Sequence, residues 1–123
     1  MVLHGSVSAQ WHQDLFEVYA YGPFNEAGVL HCAEELQKAV IDNPKESWVR
    51  YEEWDDEVSG SQETIDNAAQ LWLWYDSMGC KASAILVHSG FQGLIVDKLM
   101  TGNTKMFFDK QEALTWLEQQ RAL

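Results

Sequence analysis

Basic residues are scarce in this chain: eight Lys and Arg stand against 19 Asp and Glu, for a formal net charge of −11. Phosphate backbones and anionic lipid surfaces repel such a domain unless it carries a basic patch, and the eight cations are scattered singly. Nucleic acid is therefore not expected as a partner. Long apolar runs are missing too, with none approaching the roughly eighteen residues of a membrane span, so no membrane insertion is expected. The opening MVLHGSVSAQ lacks the basic region and apolar core of a secretory signal, which leads to the expectation of a cytoplasmic protein. Cysteine is nearly absent. Cys32 and Cys80 make no disulfide framework and read as small buried thiols in a reducing compartment. His31 beside Cys32 is no metal pair, because helix neighbours point about 100° apart and no matching pair exists elsewhere. Neither a metal nor a cofactor is expected.

What is present is regular alternation of strand and helix. At 123 residues the chain is read as one domain, large enough to bury a core without metal or disulfide support. Residues 84–87, Ala-Ile-Leu-Val, form a continuous apolar run, as expected of a parallel strand covered on both faces. Ser89 then stands at a helix N-cap with Gln92 at capping-box spacing. Leu94, Ile95 and Leu99 are expected on one buried helical face, with Gly102 as the C-terminal stop. Residues 105–108 read as a strand. Asp109 caps the last helix with Glu112 in a second capping box, and Ala113, Leu114 and Leu117 form its apolar stripe.

Upstream, residues 3–11 alternate weakly, a polar turn follows at residues 12–14, and Leu15–Tyr21 is a strong strand, so the two are expected to pair as a hairpin. Asn25 caps a first helix carrying Val29, Ala33, Leu36 and Val40 on one face, and Pro44 ends it. Trp48–Trp54 is the next strand, with Trp48, Arg50, Glu52 and Trp54 on one side and Val49 and Tyr51 on the other. Ser59 or Ser61 caps the second helix and Gly79 stops it. The order is ββαβαβαβα. It predicts an α/β fold with a mixed, mostly parallel sheet, in which only the first strand runs antiparallel, and helices on one face or both.

That order resembles the SpoIIAA-like family, relatives of the STAS (anti-sigma-factor antagonist) domain, and is similar also to the lipid-binding CRAL-TRIO fold. Its most specific piece is the ending Met106-Phe107-Phe108-Asp109-Lys110-Gln111-Glu112-Ala113-Leu114-Thr115-Trp116-Leu117. The resemblance implies a mixed sheet flanked by helices and, through STAS relatives, a regulatory role in protein–protein interaction, sometimes switched by serine phosphorylation. The STAS switch run is Asp-Ser-Ser-Gly. Here the loop reads Glu57-Val58-Ser59-Gly60-Ser61, so the run is broken. Ser59 and Ser61 are the residues to which a phosphate would attach, at a helix N-terminus that favours it. Glu52, Glu53, Asp55, Asp56 and Glu57 just upstream oppose it, and ordinary N-caps explain both serines.

No catalytic constellation is complete. Val87-His88-Ser89-Gly90-Phe91 places a serine between strand and helix, but a nucleophile elbow has glycine where Val87 and Phe91 stand, and no histidine follows His88. The acidic run at residues 52–57 lacks the ligand alternation and central glycine of a calcium loop. The feature that resists a bland explanation is Leu71-Trp72-Leu73-Trp74-Tyr75. Ile65, Ala68, Ala69, Trp72 and Tyr75 define the inward face of the second helix, and Trp74 lies about 200° from Trp72 around its axis. Two functional readings follow, beside simple burial of the run under the N-terminal hairpin and, as a minor alternative, a hydrolase that uses Ser89. In the first, Leu71, Trp72, Trp74 and Tyr75 form a self-association interface of a non-catalytic interaction domain, with an unidentified protein as its further partner. In the second, Trp54, Trp72, His88 and Phe91 line a pocket for a small apolar or lipid-like ligand near the carboxyl ends of the strands.

Overall fold

A turn at Gln13 and Asp14, with Gln13 at φ 57°, folds β1 (Ser6–His12) back onto β2 (Leu15–Tyr21), in antiparallel register from Ser6↔Tyr21 to His12↔Leu15. The computed structural model describes residues 2–123. After the hairpin come α1 (Glu26–Ile41), β3 (Trp48–Trp54), α2 (Gln62–Ser77), β4 (Cys80–Leu86), α3 (Gly90–Leu99), β5 (Thr104–Phe107) and α4 (Lys110–Arg121). From β3 onward each strand runs parallel to the one before it, and the sheet order is β1-β2-β3-β4-β5. The element order is the one read from the sequence. No helix among the described residues is long and apolar enough to cross a membrane.

Side-chain oxygens fix the helix starts by taking an otherwise orphaned backbone N–H. Asn25 accepts from Gly28 N, Ser61 from Thr64 N, Ser89 from Gln92 N and Asp109 from Glu112 N. Ser61, not Ser59, is thus the cap of α2. Gly79, at φ 101°, takes the left-handed position just past the end of α2, where a Cβ would also strike the Glu46 carbonyl. Gly102 does not stop α3. That helix ends at Leu99, and Met100 leaves it with ψ 129°. Leu94 is exposed and Val96 takes its place in the core beside Ile95 and Leu99, because the packed face of α3 turns toward α2 rather than away from it. The last strand begins one residue earlier than expected, leaving Phe108 exposed.

The strand order decides where the helices go. Each crossover steps one strand along in the same direction, and crossovers of one hand stepping one way leave their helices on one face. So α1, α2 and α3 share one layer, packed on Phe16, Val18, Trp48, Trp54 and Ile85. The last helix, which serves no crossover, closes the other face, where Ala113 and Leu117 pack on Val49, Tyr51, Ala82, Ala84 and Phe107. The register between β3 and β4 shifts after Trp48↔Cys80 to Val49↔Ala82, leaving Lys81 as an extra residue. This bulge brings Cys80 and Ser83 to the same side, with Sγ and Oγ 3.3 Å apart.

Candidate functional site

Central strand β3 sends Trp48, Arg50, Glu52 and Trp54 toward the three helices, so two charged side chains enter a core. Arg50 is 1% exposed and Glu52 6%. The Arg50 guanidinium stacks between the rings of Trp72 and Tyr75, 4.4 and 4.5 Å from their centroids. Its Nη1 lies 3.6 Å from Glu52 Oε1, beyond a direct hydrogen bond. The second oxygen of Glu52 accepts from Trp54 Nε1 at 2.7 Å. Arg50 Nε and Nη1 and the Tyr75 hydroxyl have no hydrogen-bond partner among the described residues. Burial raises the pKa of Tyr75 and of the adjacent Cys80, and the Arg50 charge offsets this only in part, so both stay neutral at ordinary pH.

Next to this pair is a cavity of about 80 Å³ lined by β2, β3, α1 and α2, with Val7 of β1 and Ile95 and Leu99 of α3. Its wall is mostly apolar, with Val18, Leu36, Trp54, Ile65 and Trp72 prominent; Glu52 is its one ionisable carboxylate, and Ser59 and Thr64 add hydroxyls. The loop at residues 55–60, which forms part of the wall, is held by Gln92. That buried side chain donates to Asp55 O at 2.7 Å and Val58 O at 3.2 Å, while its Oε1 accepts from His88 N. Gln92 therefore does not reach back to Ser89 as a capping box would. Sequence spacing pointed to the right residue and the wrong partner.

The four residues read as an interface separate. Leu71, Trp72 and Tyr75 are buried in the monomer, Tyr75 packing edge-on against Trp48 with centroids 5.7 Å apart, and of the three Leu71 also lines the groove between α1 and α2. Trp74 alone keeps partial exposure, in that groove beside Leu30 and Leu73. Of the four residues read as a pocket, Trp54 and Trp72 share the cavity. His88 and Phe91 do not: both are exposed, Phe91 at 64%, because they sit at the start of α3, where Gln92 and not its neighbours turns inward. Ser59 lines the cavity and Ser61 caps α2, its hydroxyl 3.2 Å from Thr64 Oγ1. The Ser89 hydroxyl accepts from Gln92 N and has no histidine or carboxylate bonded to it among the described residues.

The acidic run disperses as well. Glu52 turns inward, Glu53 accepts from the Tyr51 hydroxyl at 2.6 Å, and Asp55 accepts from Gly22 N and Glu57 N. Among the described residues no three His, Cys, Asp or Glu side chains converge as metal ligands. The buried Arg50–Glu52 pair was missed from the sequence, although Arg-x-Glu-x-Trp alternating in a strand between two covered neighbours is a signal for it.

No family model matches the chain, and no curated protein matches it. Among solved structures, an uncharacterized protein from the DUF3478 family of Shewanella loihica PV-4, with a SpoIIAA-like fold, superposes with a TM-score of 0.66. The alignment covers 95% of this chain and 96% of that one at 21% identity. The fold is SpoIIAA-like. At that identity the likeness extends to architecture and no further, and the SpoIIAA-like frame is what places β3 at the centre of the sheet with the cavity on its three-helix side.

Proposed function

We propose that this SpoIIAA-like chain is a non-catalytic binding domain that holds a compact, mostly apolar small molecule between the sheet and α1–α2. The observation carrying this reading is the cavity of about 80 Å³ walled by Trp54 and Trp72. Cavities of about 150 Å³ admit a benzene ring, so the occupant is smaller than a lipid acyl chain unless the loop at residues 55–60 moves. Both indoles face the space, so tryptophan fluorescence reports occupancy. Titration with small apolar molecules is expected to give a saturable change. Ala68→Met, which extends a side chain from α2 into the space, is expected to abolish the change while altering stability by only about 1 kcal/mol. A non-saturable response, or one that survives Ala68→Met, refutes the reading.

A second reading, self-association of a regulatory interaction domain, is favoured by the groove in which Trp74 lies beside exposed Leu30 and Leu73. Sedimentation of Trp74→Ala against the parent tests it. An oligomer that persists unchanged in the variant removes Trp74 from the contact.

A further inference from the structure

We infer that the cavity selects an uncharged ligand bearing one hydroxyl, a small alcohol, and that Glu52 receives its hydrogen bond. The inference rests on the cavity reading above and narrows its ligand class. Glu52 is the one ionisable carboxylate on the wall, and its two oxygens are unequally engaged. Oε2 accepts from the Trp54 indole N–H at 2.7 Å. Oε1 faces Arg50 Nη1 at 3.6 Å, with no direct hydrogen bond between them. A buried carboxylate has room for several acceptor contacts and gains from each, so Oε1 is the open acceptor of the site.

Charge decides among head groups. Arg50 and Glu52 together are neutral, and they lie in a core where an added net charge is strongly disfavoured. An ammonium would bond to Glu52 but leave the core one charge positive. A carboxylate would sit against Glu52 with the guanidinium held behind the Trp72 and Tyr75 rings rather than on the cavity wall. A hydroxyl donates to Oε1 and adds no charge. It is the smallest group that does both, which matters in about 80 Å³.

The test compares four ligands of matched shape on the full chain: isobutanol, isopentane, isobutylammonium and isobutyrate. Binding is read from tryptophan fluorescence and from the NMR position of the Trp54 indole proton, whose acceptor is Glu52. Isobutanol is expected to bind roughly five- to tenfold more tightly than isopentane, the worth of one net hydrogen bond, and to move the Trp54 indole resonance. The two ions are expected not to bind. Equal affinity for isobutanol and isopentane would overturn the hydroxyl selectivity while leaving the cavity as an apolar site. Tightest binding of isobutylammonium would overturn it in favour of an amine. No saturable binding by any of the four would remove the cavity reading and this inference together. In the double variant Arg50→Met, Glu52→Leu, isobutanol is expected to fall to the affinity of isopentane. A preference that survives that change excludes Glu52 as the receiver, and the comparison on the parent chain stands even if the variant does not fold.

Discussion

The two faces of the sheet are built from alternate residues of the same strands, yet one is closed and the other is not. On the α4 face, Val49, Tyr51, Ala82, Ala84, Phe107, Ala113 and Leu117 are all buried, and the Tyr51 hydroxyl is taken up by Glu53 at 2.6 Å. Alanines in both sheet and helix let a single helix approach closely, so little space is left to fill. The three-helix face is larger and packed with aromatic rings, and it holds a cavity, a buried ion pair and three polar atoms without partners among the described residues. A face that serves only stability is expected to look like the first. The second keeps costs that the proposed binding role would explain.

The largest effect should come from breaking the ion pair one-sidedly. Arg50→Ala leaves Glu52 buried without its countercharge and is expected to cost about 3–5 kcal/mol, measured by urea unfolding. On the closed face, Leu117→Ala should cost about 3 kcal/mol through the hole it leaves. It should leave ligand binding intact, which separates stability from function between the two faces. Gln92→Ala removes the contacts that hold the loop at residues 55–60. It should cost about 2 kcal/mol and speed hydrogen exchange at residues 55–60 before any other segment.

The smallest effect is a dependence on alkaline pH. Burial, with a lesser contribution from Glu35, raises the Cys32 thiol from 9.0 to about 11. The folded chain therefore keeps a proton that the unfolded chain loses. Stability is full below about pH 9 and declines as pH rises toward about 11. Buried Cys80 and Tyr75 shift in the same direction. Urea midpoints measured between pH 8 and 11 should fall, and Cys32→Ala should flatten part of that slope. A flat profile in the parent would show that the three-helix face admits water freely and would weaken the contrast between the faces.

Local chemistry alone determined the order of elements, the Asn25, Ser89 and Asp109 caps, the Gly79 stop and the alternation along β3. Each depends on residues within one turn or one strand, and the sequence displays those directly. Tertiary structure decided which side of the sheet each helix takes, the bulge at Lys81, the inward turn of Gln92 and the burial of Arg50 and Glu52. The residues of the aromatic run were visible in the sequence, but their burial was not, because a helix wheel shows that Trp72 and Trp74 diverge without showing what covers either one. Covering depends on crossover direction and on partners far along the chain: Arg50 on β3 meets Trp72 and Tyr75 only because β3 is central and α2 lies across it. Hydrogen-bonding reach is short and chain connectivity is long, so the caps could be read from the sequence and the site had to be seen in the fold.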